Sequence, residues 1–348
     1  MKEALIETAR QAVRLGVRAS IMGRPHGLVP MYHRIAEPSV DPWDIAVSPK
    51  HFAEHLEVLR DWARCRTFAD FATALHGDEP EKRSVAITFD DGYVDNLTTA
   101  LPLLERHDVP ATVFILTSTI GAGREFWWDA LARVFLTTPR LPRVLELEIG
   151  GETRRWDLGD GADCTPEELR SFRDWRIKRD GPRHARDRTL GGVWLALFSS
   201  PRDVTEELFG RVIAWAGADR AGAADGHPLT IAELGRLGGS RLIEIGGHTM
   251  RHPPLDTLTQ EDAEREIAGG RRELVEMIGR DVTTFAYPFG RHGGRVPDLV
   301  REAGFSAGCT AAQFLAVGKV DPYRIPRLIM RDWDGDTLAR MLRQFAGA

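Results

Sequence analysis

The sequence has few cysteines, few lysines and no long hydrophobic run. Its 348 residues include only Cys65, Cys164 and Cys309, which are widely spaced and match no metal or redox pattern. An odd and scattered set argues against a disulfide framework and favours a reducing compartment. No stretch approaches the roughly 18 to 20 apolar residues of a membrane-spanning helix. The 46 basic residues, mostly arginine, face 51 acidic ones, and the net charge of −5 argues against a nucleic-acid partner.

Charged residues interrupt the N-terminal segment, residues 1–27. Glu3 and Glu7 break any apolar core of a signal peptide, so we expect none. Apolar residues recur every fourth position from Leu5 to Val17, which predicts a short amphipathic helix. We favour a helix docked on the domain; the alternative is that its arginines touch an anionic membrane surface, the one membrane contact we expect. The sequence thus predicts a cytoplasmic protein, with attachment to the inner membrane face as the alternative.

Strand-like and helix-like segments alternate along most of the chain. Continuous apolar runs of the kind found in buried parallel strands occur at 28–35, 84–89, 111–116, 242–248, 283–290 and 305–310. Helical patterns lie between several of them, most clearly at 49–62, 97–107 and 260–278. This alternation predicts an α/β fold with parallel strands, either a barrel or a doubly wound sheet.

One segment, residues 121–228, breaks this alternation. It contains six of the nine tryptophans, a basic run from Arg170 to Arg188, and a strand pair that turns at Gly150-Gly151. We interpret it as a mostly helical insertion that covers the active-site end of the α/β core. The basic run is either a solvated helix face, which we favour, or a phosphate contact.

Two adjacent carboxylates, Asp90 and Asp91, follow an apolar strand and precede Gly92. This places them at the carboxyl edge of the sheet, where active sites of parallel α/β folds gather. Neighbouring strand residues point apart, so both can serve one site only if the chain turns near Gly92. The alternative is a solvated turn, because Asp-Gly is a common turn pair.

Two histidines, His248 and His252, follow another strand at a spacing of four. On one helical turn both rings can reach the same metal ion. Together with one carboxylate they would complete a three-ligand set for a hydrolytic metal, which leaves the other carboxylate as a general base.

Three motifs, TFDDGY, HTMRHPPL and YPFG, resemble in this order the first three motifs of the polysaccharide deacetylase family, carbohydrate esterase family 4. The segments MYHRI and PATVFI are also similar to its members. The resemblance covers about residues 28–120 and 229–332 and implies a distorted (β/α) barrel with about seven parallel strands, here 28–120 together with 229–348.

The resemblance also implies roles for individual residues. Asp91, His248 and His252 would bind a divalent metal, most simply Zn²⁺, with Co²⁺, Ni²⁺ or Mn²⁺ as alternatives. Asp90 would be the general base. Tyr287 and Pro288 would line the substrate pocket, and the backbone N–H of Phe289 would hold the oxyanion.

The sequence departs from the family pattern at two places. Phe285 and Ala286 stand where many members have an arginine that orients the base, and the late segment RIPRL has no histidine for the general acid. By position, His33 and His292 are the candidate acids, although a structural role is the simpler interpretation of either. Arg327 is a candidate for the missing arginine's role or for substrate binding, with a plain salt bridge as the alternative.

Trp127 and Trp128 are further candidates for substrate binding because indole rings stack on sugars, although large aromatics more often anchor a core. The sequence as a whole predicts a hydrolase that removes an N-acetyl group from an amino sugar or a glycoside that contains one. Two alternatives remain open: hydrolysis of another C–N amide, such as a cyclic amide or formamide, and a carbohydrate-binding relative without turnover. Oligomeric state is not predicted.

Overall fold

Two compact units make up the chain. The computed structural model describes residues 26–76, 83–219 and 226–346. The first unit, the barrel unit, comprises Met1–Ala36, Val47–Ile120 and Leu229–Ala348. The second, the Trp-rich unit, comprises Glu37–Ala46 and Gly121–Pro228. Residues 37–46 are predicted within the barrel but group with the Trp-rich segment.

The strands are short and concentrated in the barrel unit. In chain order they are β1 (His26–Leu28), β2 (Pro30–Tyr32), β3 (Arg34–Ile35), β4 (Ala46–Val47), β5 (Arg64–Arg66), β6 (Arg83–Phe89), β7 (Ala111–Ile115), β8 (Val144–Ile149), β9 (Glu152–Asp157), β10 (Ile243–Gly247), β11 (Thr284–Ala286), β12 (Ala307–Cys309), β13 (Ala316–Val317) and β14 (Leu328–Ile329).

Helices connect most of the strands. They are α1 (Pro49–Trp62), α2 (Phe68–His76), α3 (Leu101–His107), α4 (Trp127–Thr137), α5 (Pro166–Ser171), α6 (Ile177–Asp180), α7 (Ala185–Phe198), α8 (Arg202–Ala216), α9 (Ile231–Gly238), α10 (Gln260–Ile278), α11 (Val296–Glu302) and α12 (Gly335–Ala346). Single turns of 3₁₀ or π-helix occur at Asn96–Ala100, Thr117–Thr119, Gly159–Ala162, Leu255–Thr257 and Pro288–Gly290.

One curled sheet forms the centre of the barrel unit. Its strands follow the order β12–β11–β10–β7–β6–β1–β13, with β2 and β5 also paired to β6, and β14 to β2. These pairings are parallel except the one between β1 and β13. The predicted distorted (β/α) barrel of about seven parallel strands is therefore confirmed.

The two faces of the sheet belong to two hydrophobic clusters. In β6, Val85 and Ile87 join the larger cluster, whereas Ala86 between them joins the smaller one. In β7, Val113 and Phe114 divide in the same way. Because successive strand residues point to opposite faces, both faces need apolar residues, which explains the continuous apolar runs in the sequence.

The carboxyl ends of the parallel strands lie at one edge and carry the sequence motifs. Asp90 follows β6, His248 follows β10, and Tyr287 follows β11. Small residues keep β10 close to its neighbours: a Cβ on Gly246 would lie 2.5 Å from the Phe114 ring, and one on Gly247 would lie 2.9 Å from the Phe305 ring. The sheet therefore brings the three motifs to one edge without bulky side chains between them.

The Trp-rich unit combines a hairpin with helices. β8 and β9 pair antiparallel from Val144↔Asp157 to Ile149↔Glu152, with Gly150 and Gly151 at positive φ in the turn. The predicted strand pair is thus confirmed.

A buried arginine organises the core of this unit. Arg186 is fully buried, so it does not belong to a solvated basic face. It donates hydrogen bonds to the carbonyl oxygens of Phe135, Thr138, Pro139, Gly161 and Ala162. Because the last carbonyls of a helix have no partner within it, Arg186 serves as a cap for the end of α4.

The predicted N-terminal helix of residues 1–27 lies, up to residue 25, outside the described residues. His26 and Gly27 belong instead to β1, where they pair in parallel with Arg83 and Ser84 of β6. Among the helices of the described ranges, none combines the length and the apolar character needed to cross a membrane.

Candidate metal centre and active site

Three side chains from two motifs meet at the carboxyl edge of the barrel unit. Asp91 Oδ1 lies 3.5 Å from His248 Nε2 and 3.5 Å from His252 Nε2. The two imidazole Nε2 atoms are 3.1 Å apart. A tetrahedral ion with bonds of about 2.0–2.2 Å holds its ligand atoms about 3.3–3.6 Å apart. The two carboxylate–imidazole distances fall within this range and the imidazole–imidazole distance lies just below it, so the three atoms are close enough together to hold one small ion.

The hydrogen bonds of His248 fix which nitrogen faces this cluster. His248 Nδ1 lies 2.7 Å from the carbonyl oxygen of Ala286, so Nδ1 carries the proton and donates it. Burial lowers the pKa of His248, and the ring is neutral at neutral pH. Its Nε2 lone pair therefore points toward the Asp91 carboxylate, an arrangement that a cation between them would stabilise. This donor set of two imidazoles and one carboxylate fits a divalent metal.

The backbone at the site is strained. Among the described residues, six residues other than glycine have positive φ, and four of them lie in the three motifs: Asp91, Thr249, His252 and Phe289. Such conformations are unfavourable for residues with a Cβ and persist where the surroundings enforce them. Asp91 and Gly92, at φ 73° and 81°, turn the chain directly after Asp90, which is the turn that both carboxylates would need to serve one site.

A buried ion pair holds Asp90. Arg327 Nη1 and Nη2 each donate to one carboxylate oxygen of Asp90 at 2.7 Å, and Arg327 Nε donates to Thr310 O at 2.9 Å. Burial raises the pKa of Asp90, but the charge and hydrogen bonds of Arg327, together with the charges of His248 and His33, outweigh it and hold that pKa well below its usual range. Asp90 is thus ionised and fixed in orientation.

Arg327 is occupied by these contacts. Its side chain is only 1% exposed and its guanidinium is engaged by Asp90 and Thr310, which favours a role in orienting Asp90 over a contact with substrate. The sequence left this pairing open because Arg327 lies 237 residues after Asp90.

The residues of the third motif differ in exposure. Tyr287 is completely buried, and its hydroxyl donates to Tyr323 O at 2.8 Å, so its side chain packs in the core and its role in substrate binding stays a prediction. Pro288 is also buried and begins a 3₁₀ turn. Phe289 is 43% exposed, and its ring lies 4.5 Å from the ring of His252.

The two candidate acids differ in their surroundings. His33 interacts electrostatically with Asp90 and His248, and burial lowers its pKa to about 4. His292 lies beside Tyr287, with ring centroids 5.5 Å apart, and its Nδ1 contacts Gly290 O at 2.8 Å. The structure therefore associates His33, but not His292, with the charges of the site.

Trp127 and Trp128 belong to the Trp-rich unit. Trp127 is 8% exposed and joins the hydrophobic core, which favours the alternative that it anchors the core over stacking on a substrate. Trp128 is half-buried and stacks on Phe126 with ring centroids 4.8 Å apart. Its role in substrate binding stays a prediction.

Sequence reasoning missed the residues that support the motifs. Asp95 Oδ1 accepts a hydrogen bond from Ile35 N at 3.0 Å, and Asn96 Nδ2 donates to His33 O at 2.8 Å. They follow TFDDGY by two and three residues and hold the segment that carries His33. On α10, Glu266 accepts hydrogen bonds from the loop that carries the histidines. Asp95 and Asn96 are marked only by lying close to a motif, and Glu266 lies in a helix rich in charged residues, where no sequence signal distinguishes it.

The fold and the site together define an α/β-barrel protein with an Asp-His-His cluster that could hold a metal ion at the carboxyl edge of its strands. The family model described as polysaccharide deacetylase matches residues 77–137 and 223–308. The chain is also 34% identical over 93 residues to YxkH of Bacillus subtilis strain 168, itself named for this family. That match covers 26% of this chain and 32% of YxkH.

Two solved structures share the fold. IcaB from Ammonifex degensii superposes with a TM-score of 0.56 at 17% identity, over 93% of this chain and 98% of IcaB. The Streptococcus pyogenes deacetylase PplD, in complex with acetate, gives 0.55 at 16% identity, over 91% of this chain and 98% of PplD. These two structures show a shared fold, and the family model and the match to YxkH confirm the resemblance to the polysaccharide deacetylase family.

Proposed function

We propose that the protein is a metal-dependent hydrolase that removes the N-acetyl group from an amino sugar or from a glycoside containing one. The observation that carries this proposal is the Asp91–His248–His252 cluster with the ionised Asp90 directly beside it in the chain. The family match supports deacetylation, and PplD, which shares the fold, is named a deacetylase and was solved with acetate.

Asp91, His248 and His252 would hold the metal, and we propose Zn²⁺ because two imidazoles and a carboxylate suit it. A divalent metal at this position supplies a water of lowered pKa and polarises the substrate carbonyl. Asp90, kept ionised by Arg327, accepts the proton of the attacking water. Because Arg327 binds both carboxylate oxygens, it also fixes the direction in which Asp90 accepts that proton.

Two roles remain, to stabilise the oxyanion and to protonate the departing amine, and we assign them to residues of neighbouring segments. The backbone N–H of Phe289 stabilises the oxyanion, since the left-handed conformation at φ 57° turns the chain beside His252. His33 donates a proton to the departing amine, because it is the candidate acid that is coupled to Asp90. Because its lowered pKa leaves His33 neutral at neutral pH, His33 must first receive from Asp90 the proton that Asp90 took from the attacking water, which returns Asp90 to its ionised form.

The test is acetate release by the purified, Zn²⁺-loaded chain from N-acetylated amino sugars, from their oligomers and from small amides. We expect Asp91→Ala and His252→Ala to lose bound metal. Asp90→Asn should retain metal but lose about 10²–10⁴-fold in turnover, the usual contribution of a general base. Wild-type turnover in Asp90→Asn would refute the assigned base. Turnover of small amides alone would favour the alternative amidase, and metal binding without any turnover would favour the binding protein.

A further inference from the structure

One buried glutamate fastens the loop that carries the two histidines to helix α10. Glu266 is 2% exposed. Its Oε2 accepts hydrogen bonds from the backbone N–H of Met250 at 3.1 Å and of Arg251 at 2.8 Å. Its Oε1 accepts from Arg251 Nε at 2.7 Å. One side chain thus receives three donors from two consecutive loop residues.

The two histidines depend on this attachment to different degrees. His248 is held by the sheet, because its N–H donates to Ile115 O at 3.0 Å and its Nδ1 to Ala286 O. His252 lies beyond the end of β10. Two residues of the loop, Thr249 and His252 itself, have left-handed backbone conformations, at φ 69° and 62°. These conformations are unfavourable for residues with a Cβ. Met250 and Arg251, the residues that Glu266 binds, lie between these two.

The helix surface beneath the loop is shaped to receive it. A Cβ on Gly270 would lie 2.9 Å from the backbone carbon of Thr249 and 3.1 Å from its oxygen. The loop backbone therefore packs directly on α10, one turn after Glu266. No larger residue fits at this position unless the loop moves.

We propose that Glu266 is a positioning residue for the metal centre: it holds His252 at the distance from His248 and Asp91 that one ion requires. This inference rests on the proposed metal centre. Glu266 acts through the backbone of Met250 and Arg251, not by contact with the ion.

The first test compares Glu266→Gln with Glu264→Gln, a change of the same kind on the exposed face of the same helix. Glutamine has only one acceptor oxygen. Its NH₂ group would therefore face one of the N–H donors of Met250 or Arg251, and that hydrogen bond would be lost. Apo proteins are titrated with Co²⁺ while visible absorption is recorded, and with Zn²⁺ in competition. We expect Glu266→Gln to weaken the affinity about 10–100-fold and to change the Co²⁺ spectrum. Glu264→Gln should match the wild type in both.

The second test uses two adjacent glycines of α10. A Cβ on Gly269 would meet the Met250 thioether at 2.6 Å, a side chain that can move aside, whereas one on Gly270 meets backbone. We expect Gly270→Ala to weaken Co²⁺ binding and change the spectrum, and Gly269→Ala to leave both unchanged. This pair decides the matter if Glu266→Gln does not fold.

The outcomes separate the possibilities. A role in fold stability alone would lower the melting temperature of Glu266→Gln and Gly270→Ala but leave the Co²⁺ affinity and spectrum of the folded proteins unchanged, and this would overturn the inference. If the wild type itself binds no metal at this site, the proposed metal centre fails first, and the inference falls with it.

Discussion

Replacement of Arg327 by methionine is the sharpest test of how this site is built. The variant keeps much of the side-chain volume but leaves the Asp90 carboxylate, 3% exposed, without its bidentate partner. Removal of one partner from a buried ion pair costs about 3–5 kcal/mol. For a domain of this size, that corresponds to a fall of about 6–20 °C in melting temperature.

The cost should depend on pH in a defined direction. In the wild type the pKa of Asp90 is lowered, so its stabilisation is present above its ordinary pKa and is lost only as the pH falls through the lowered value. Without Arg327, burial loses its main opponent and raises the pKa of Asp90, because only the interactions with His248 and His33 still lower it. The folded variant then favours the protonated acid, and its deficit grows as the pH rises. We expect Arg327→Met to be closer to the wild type at pH 5 than at pH 8.

Thermal and urea unfolding of the metal-free proteins at both pH values measure this deficit. Arg324→Met is the matched control, because Arg324 pairs with Asp321 at the surface, where such a pair contributes at most about 1 kcal/mol. The double variant Asp90→Asn with Arg327→Met should regain part of the lost stability, since no buried charge remains. A deficit below about 1 kcal/mol at pH 8, or one that does not change with pH, would refute the reasoning.

Two further predictions concern other parts of the molecule. His33→Asn should retain metal and lose acetate release by about 10²–10⁴-fold, whereas His292→Asn should keep most of its turnover; the reverse result in the same assay would make His292 the acid. Arg186→Met should destabilise the Trp-rich unit by at least about 3 kcal/mol, because several buried carbonyl groups lose their donor at about 1–3 kcal/mol each. Urea unfolding and amide hydrogen exchange of residues 127–139 measure this effect, and the exposed Arg188→Met should show little change.

The barrel and the metal cluster could be predicted because they depend on local pattern and on one rule of topology. Continuous apolar runs indicate strands covered on both faces, and parallel strands bring their carboxyl ends to one edge. Asp91, His248 and His252 each follow such a strand closely, so their meeting required no knowledge of side-chain packing.

The residues that orient the site could not be predicted in this way. Arg327 meets Asp90 through the pairing of β14 with β2 and of β2 with β6, which no local pattern encodes. Tyr287 was predicted in the pocket because of its motif, but its hydroxyl finds a carbonyl partner at Tyr323 inside the core. Trp127 is predicted to bind substrate because indole rings stack on sugars, whereas its side chain lies on the apolar face of α4 and packs in the core. These outcomes depend on which partners the fold supplies.

The short segment from Ala286 to Phe289 touches both imidazoles of the cluster from different sides. The carbonyl oxygen of Ala286 accepts a hydrogen bond from His248 Nδ1, and three residues later the Phe289 ring lies against His252. A shift of this segment would therefore rotate one imidazole and release the other at the same time. The positions of both imidazoles thus depend on one short segment, so an evolutionary substitution at Phe289 would also change how His252 is held.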